Sequence, residues 1–379
     1  MNLPHPFLDL KAENAPFLDE LTRAASRVIT SGRYIGGDEV RQFESQLASA
    51  TQTAHAIGVS NGLDALRLSL RSMVALGMMH PGDEVILPAN SFIASLLAVA
   101  DAGLTPVCAD ISLSSLLLSA ESVDSLITPR TRAIMPVHLY GRVCWDSDLA
   151  SITAAHSLYI IEDCAQAIGA SATIPGLNAT LPAGSLGHVA AFSFYPTKNV
   201  GALGDAGAVT TSSPDIARMV HTLANYGSTE RNHYPYSGFN CRLDPLQAAM
   251  LSVKLNHIDE INTRRRLVAR TYSTSITNPA VALPPLPAEE AECVWHQYVV
   301  RLTAGSRDRF RQSLLANGVE TDIHYPIPLH KQPCGRDSAR TPLPNAETAA
   351  QSIVSLPVGA PSTPLSAKEI SQIINHTLA

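Results

Sequence analysis

The chain has 379 residues, 45% of them aliphatic, aromatic or cysteine and 16% charged, a composition that buries a large core and excludes intrinsic disorder. At about 150 residues per domain, this length fits two domains. A net charge of −6 offers no basic face for nucleic acid, and the longest strongly apolar stretch, Phe92 to Ala100, falls far short of the ~20 residues of a membrane span.

The first ten residues, MNLPHPFLDL, lack a basic start and an apolar block, so nothing marks the chain for export and the cytoplasm is the expected compartment. Lys11 to Ser31 reads as helical and is expected to pack on the second domain or on another subunit. From Ala54 to about Thr211, short β-rich runs alternate with helical segments: HAIGVS, EVILPA, LTPVCADI, RAIMPVHLY, LYIIED, VAAFSFY and GAVTT. These runs are continuously apolar, as strands covered on both faces are, which predicts an α/β unit with a mostly parallel seven-stranded sheet and helices on both faces. Between them, Leu63, Leu66, Leu70, Val74 and Met78 fall at helical spacing, and FIASLLAVADAG ends at a glycine suited to a helix terminus. A long helical pattern runs from Leu243 to about Ser275. Pro284, Pro285 and Pro287 then mark a boundary, followed by a strand (VWHQYVVRL), a helix (Ser306 to Asn317), a strand (VETDIHY) and two helical stretches. The expected division is residues 1–275 for the large domain with its long helix, and residues 276–379 for a smaller C-terminal α+β domain. Six cysteines without a C-x-x-C pair argue against a disulfide scaffold and a zinc cage, so no metal site is expected.

Two patterns compete for the chemistry. Gly58-Val59-Ser60-Asn61-Gly62 fits the G-x-S-x-G nucleophile elbow of a serine hydrolase using Ser60. Only one strand candidate precedes Ser60, where an elbow needs several, and no HGGG-type oxyanion segment appears. The same turn, opening a helix, presents free backbone N–H groups that suit a phosphate. In the second pattern, IIEDCAQAIGA places Asp163 at a strand end, and Lys198 follows 35 residues later in the Ser/Thr/Gly-rich loop of FSFYPTKNVGALGDAGAV. A lysine for a Schiff base, an acid for a pyridinium nitrogen and a phosphate cup together match the needs of pyridoxal phosphate (PLP).

The segments SGRYIGGDEVRQFESQLA, SNGLDAL, GDEVILPANSFIAS, AIMPVHLYG, IIEDCAQAIGA, FSFYPTKNVGALGDAGAV and NCRLDPLQAAML resemble the DegT/DnrJ/EryC1/StrS family from Phe7 to about Gln332. That family comprises PLP-dependent aminotransferases of nucleotide-linked keto sugars with the fold type I architecture. The resemblance implies that Lys198 forms the Schiff base, Asp163 pairs with the pyridine nitrogen, Gln166 meets the phenolic oxygen and Phe92 stacks on the ring. It assigns Ser193 and the backbone of Gly62 and Leu63 to the phosphate. Many relatives carry Thr at the Leu63 position; Leu63 supplies only its N–H. Asn240 matches a residue that reaches the partner subunit's cofactor phosphate, which implies a homodimer with shared sites. Arg242 is read either as an aid to the substrate or the neighbouring site, or as a surface charge.

The implied reaction moves an amino group from L-glutamate to a keto sugar in two half-reactions, with Lys198 carrying the proton between substrate and cofactor carbon. Lys198 separates this chain from dehydratase-type members that carry His there. NGLDAL, PVHLYG and IHYPIPLHKQ resemble the subgroup that aminates C3 of dTDP-linked 3-keto-6-deoxyhexoses, which places His324 and Tyr325 beside the hexose; Tyr195, in the strand leading to Lys198, is expected to border the sugar as well. Amination at C4 of a dTDP- or UDP-linked 4-keto sugar is the alternative, and a catalytically silent PLP-binding regulator is an alternative of another class.

Overall fold

The computed structural model describes residues 3–174 and 179–377. An N-terminal arm carries α1 (Leu10–Asn14), α2 (Leu18–Ser31) and α3 (Asp38–Ala50). The α/β unit then runs β1 (His55–Val59), α4 (Gly62–Ala75), β2 (Glu84–Pro88), α5 (Ile93–Asp101), β3 (Thr105–Ala109), α6 (Ala120–Leu126), β4 (Thr131–Ile134), α7 (Ser147–Ala155) and β5 (Tyr159–Asp163). A hairpin of β6 (Ser171–Ile174) and β7 (Ala179–Pro182) precedes β8 (Val189–Ser193), β9 (Gly207–Thr211) and α8 (Pro214–Ala224). Two helices, α9 (Pro245–Asn256) and α10 (Ile258–Ser275), lead to β10 (Val281–Ala282), β11 (Tyr298–Leu302), α11 (Arg307–Ala316), α12 (Pro344–Ser352), β12 (Ile353–Leu356) and α13 (Pro364–His376).

The seven apolar runs form one sheet in the order β1-β9-β8-β5-β4-β2-β3. Only β9 runs against its neighbours; the pairs from β8 to β3 are all parallel. Complete burial explains the sequence pattern: every residue of β2 and of β9 is buried, so neither strand has a polar face. The carboxyl ends of β1, β5 and β8 lie on one edge, where open α/β sheets bind ligands. A second sheet, β10-β11-β12, is antiparallel and has its own core around Tyr272, Tyr298, Phe310 and Ile370. Among the described residues no helix is long and apolar enough to cross a membrane.

Several expectations need correction. The single long helix is broken at His257, whose backbone leaves helical geometry (φ −107°, ψ 14°). Its ring packs on Phe17 at 4.8 Å and bonds Glu20 at 3.1 Å, so the break is held by the N-terminal arm. That arm docks within its own chain: Phe17, Leu21, Ala24 and Val28 interlock with Ala249, Met250, Val253 and Ile261. VETDIHY is no strand; Val319 and Asp322 make isolated bridges to His5 and Ser355. VWHQYVVRL pairs only from Tyr298, because Trp295 takes a positive φ of 47° that interrupts extended backbone.

Candidate active site

A cavity of about 430 Å³ opens at the carboxyl edge of the main sheet, walled on one side by the β11–β12 unit. It brings together Gly62, Leu63, Phe92, Asp163, Gln166, Ser193, Tyr195, Lys198, His324 and Tyr325. Asn240 and Arg242 stand outside its lining. Asn240 is exposed and bridges Asn225; the Arg242 guanidinium bonds Asn225 at 3.2 Å and lies over Tyr226. Sequence reasoning missed Asn61, Asp205, His296 and Gln297, which also line the cavity. For His296 and Gln297 the available signal was a polar pair interrupting the apolar run VWHQYVV.

Helix α4 begins at the cavity. Asn61 caps it by accepting from the Asp64 N–H at 2.8 Å. The Gly62 and Leu63 N–H groups, in the first turn, have no intrahelical acceptor. Gly62 permits a close approach, since a Cβ there would lie 2.5 Å from the Ser193 Cβ and 3.0 Å from its Oγ. Two open amides, one hydroxyl and a helix N-terminus form a cradle for a phosphate. The Ser60 hydroxyl is turned away to Asp64, and among the described residues no histidine bonds it. The hydrolase reading of Ser60 is thereby overturned, because an elbow serine needs a base and an open face.

Asp163 ends β5 with its carboxylate buried. It accepts from Ser95 Oγ at 2.8 Å and from the Ala165 N–H at 3.1 Å. Burial pushes its pKa up; those two donors and the charge of Lys198 act against the shift. A buried acid pushed up in this way lacks a strong cationic partner, which a protonated pyridine nitrogen would supply. Lys198 lies in a tight turn after β8, closed by Lys198 N–H to the Tyr195 carbonyl (2.8 Å) and Ala202 N–H to the Phe194 carbonyl (2.8 Å). At Gly201 a Cβ would meet the Pro196 carbonyl oxygen at 2.2 Å, so the turn requires glycine there. Desolvation pulls the Lys198 amine down to about 8, against the pull of Asp163. Behind the turn, buried Lys254 donates to the Gly201 carbonyl at 2.6 Å and is likewise pulled down to about 8 by burial.

The Gln166 amide is oriented by the Tyr140 N–H, which donates to its Oε1 at 2.6 Å; its Nε2 then donates to the Tyr325 hydroxyl at 3.2 Å. Phe92 is 54% exposed on the cavity wall and lies 5.4 Å from the Tyr325 ring. His324 is tied to Ser355 at 2.9 Å and packs against Phe7. The open amides, the underprovided acid, the amine and the uncovered ring fit PLP.

On the opposite face of β5, Glu162 is enclosed. Its Oε2 accepts from His138 Nε2 and the Gly184 N–H, both at 2.9 Å, with Cys164 Sγ at 3.8 Å; its Oε1 accepts from the Gly187 N–H at 2.8 Å. His138 Nδ1 accepts from the Cys144 N–H at 2.9 Å, so the proton of a neutral ring sits on Nε2 and points at Glu162. One potential ligand atom from each of His138, Glu162 and Cys164 lies within 4.8 Å of the other two, and each residue takes part in these hydrogen bonds.

Residues 18–376 match the DegT/DnrJ/EryC1/StrS aminotransferase family model. The chain is 43% identical to dTDP-3-amino-3,4,6-trideoxy-α-D-glucose transaminase of Streptomyces venezuelae, over 93% of this chain and 91% of that protein. It is 42% identical to dTDP-3-amino-3,6-dideoxy-α-D-galactopyranose transaminase of Aneurinibacillus thermoaerophilus, over 97% of both. The crystal structure of S. venezuelae DesV in complex with a ketimine intermediate superposes with a TM-score of 0.91 at 40% identity, over 99% of each chain. Relatives at 36% identity include a UDP-N-acetyl-3-dehydro-α-D-glucosamine 3-aminotransferase of Acidithiobacillus ferrooxidans, over 100% of this chain and 99% of that one, and the GDP-perosamine synthase of Caulobacter vibrioides, over 86% of each. Along nearly its whole length, the chain belongs to the DegT/DnrJ/EryC1/StrS aminotransferase family.

Proposed function

We propose that this sugar aminotransferase transfers the amino group of L-glutamate to C3 of a dTDP-linked 3-keto-6-deoxyhexose. The observation that carries the reaction is one cavity holding a lysine of lowered basicity, a buried acid with a vacant face and a helix N-terminus with open amides. The choice of C3 and dTDP is supported by the two relatives at 42–43% identity, both named for dTDP-3-amino sugars. The relatives named for UDP- and GDP-linked sugars keep other nucleotides, and C4, as alternatives to test.

When bound, PLP supplies the electron sink that stabilises a carbanion beside nitrogen. The protein's part is positioning and proton transfer. Gly62, Leu63 and Ser193 hold the phosphate. Asp163, kept in place by Ser95 and Ala165, pairs with the ring nitrogen, Phe92 covers the ring face and Gln166 donates to the phenolic oxygen. Lys198 would move a proton, on its own face, between the carbon bearing the substrate nitrogen and the carbon across that nitrogen; a pKa near 8 leaves a useful neutral fraction at physiological pH. His324, Tyr325 and Tyr195 border the hexose. Asn240 and Arg242, outside their own chain's cavity, serve the site of a partner in a homodimer; exposed Tyr226, Tyr234 and Tyr236 on the same loop give that partner an apolar face.

The test is an absorbance spectrum with and without glutamate, followed by mass analysis of products from dTDP-, UDP- and GDP-linked 3-keto and 4-keto sugars. The expected result is a visible band that glutamate bleaches and that K198A lacks, with amination at C3 of the dTDP substrate. A protein that no amino donor bleaches overturns the mechanism, and amination at C4 overturns only the sugar assignment. Mixing K198A with N240A should restore part of the activity if sites are shared between chains; no restoration refutes the shared site.

A further inference from the structure

Pro4 to Asp9 cross the C-terminal part of the chain as a strap. His5 pairs with Val319 in a parallel bridge, its N–H donating to the Gly318 carbonyl at 3.1 Å and its carbonyl accepting from the Glu320 N–H at 3.0 Å. Further along, the Phe7 N–H donates to Glu320 Oε2 at 2.9 Å and the Asp9 N–H to the Ala360 carbonyl at 3.0 Å. Gly318 has a positive φ of 79°, and a Cβ there would lie 2.8 Å from the Pro4 ring, so the strap sits tightly on that turn. These bonds, before and after Phe7, fix where its side chain starts. The side chain is only half-buried and belongs to none of the apolar cores. Among the described residues its one ring partner is His324, with centroids 5.8 Å apart and planes 24° from parallel.

His324 in turn lines the cavity. Its Nδ1 pairs with the Ser355 hydroxyl at 2.9 Å, and its carbonyl accepts from the Tyr140 hydroxyl. Those bonds hold one ring atom and the backbone, but neither resists a tilt of the ring. The nearest Asp322 carboxylate oxygen is 3.7 Å from Nε2, too far for a hydrogen bond. Tyr325 meets the ring edge-on, at 78°. Phe7 is the group that lies flat against a face.

We propose that Phe7 is a positioning residue for sugar recognition: stacked on His324, it fixes the plane of the imidazole that the hexose meets. The inference rests on the reading of His324 as a neighbour of the hexose. A side chain ordered in advance by the strap spares the substrate the cost of ordering it on binding. Loss of Phe7 therefore falls on capture of the sugar, and the proton transfers at Lys198 are left intact.

The two half-reactions, measured separately, test it. In single turnovers of the pyridoxamine-phosphate form, F7A should raise the half-saturating concentration of the dTDP-linked 3-keto-6-deoxyhexose roughly three- to tenfold and leave the saturated rate nearly unchanged. Bleaching of the PLP form by glutamate should keep its wild-type rate, which also shows that F7A is folded. F7Y, which retains a flat ring, should restore sugar saturation, and F7A/H324A should be no worse than H324A. A further readout needs no turnover. Burial holds the His324 ring below its ordinary pKa, with Asp322 acting against the shift and Lys198 with it. In cofactor-free F7A, NMR titration of that ring should therefore move to higher pH. Wild-type sugar saturation in F7A overturns the proposal, as does a loss that adds in full to that of H324A, an equal slowing of the glutamate half-reaction, or an unmoved His324 titration. Wild-type sugar saturation in H324A would instead refute the placement of His324 beside the hexose, so the two failures are distinguishable.

Discussion

Glu162 and Asp163 are consecutive acids at the end of one strand, and alternation sends their side chains to opposite faces of the sheet. Glu162 meets His138, two backbone amides and a thiol, and is closed on every side. Asp163 meets one hydroxyl and one amide and borders a cavity. Both are buried carboxylates, but one is complete within the protein and the other becomes complete only when a cation arrives. An incomplete buried acid costs folding free energy in the empty protein and makes ligand binding correspondingly favourable. The satisfied neighbour anchors the strand end that holds it.

Exchanging the two roles by substitution should separate chemistry from stability. D163N has the largest expected effect on turnover, a loss of more than about 100-fold in steady-state assays, while the cofactor-free protein melts at or above the wild-type temperature at neutral pH. The sign follows from the raised pKa. The folded state holds that proton more tightly than the unfolded chain does, so the contribution to stability is full below the unfolded pKa and is lost as pH rises through the folded one. D163N should flatten that part of the stability profile; an unchanged profile would mean that Asp163 is satisfied in some other way. E162Q should do the reverse, costing about 3 kcal/mol in denaturant unfolding because an amide hydrogen replaces one acceptor among several donors. Turnover per folded molecule should stay within a few-fold. The smallest effect is expected for S95A, which removes one of two donors to Asp163 and should weaken PLP binding about fivefold, measured by cofactor titration.

The sheet was legible because its seven runs are continuously apolar; Asp163 ends one of those runs, whereas Lys198 lies in the loop beyond another and was read from the likeness of that loop to the family motif. The break at His257 was not, since no Pro or Gly marks it; the contacts that hold it come from Phe17 and Glu20, more than 200 residues earlier in the chain. The hairpin β6–β7 and the strand β12 are only four residues per strand, too short for a periodic pattern to stand out. His296 was hidden inside an apparent strand. Its orientation depends on Asn199, Asn262 and two carbonyls from separate segments, a constellation with no local signature.

Lys254, bonded to the Gly201 carbonyl behind the active-site turn, shares with Lys198 a pKa near 8. Basicity alone therefore does not tell an amine-seeking reagent which of the two to modify. Access does, because Lys254 is only 5% exposed while Lys198 borders the cavity. The chain has just five lysines, and Lys11, Lys331 and Lys368 are exposed. A peptide map after treatment with a small aldehyde and borohydride thus has few positions to follow. Modification at Lys198 should respond to whatever fills the cavity, at the three surface lysines it should not, and at Lys254 it should report opening of the turn.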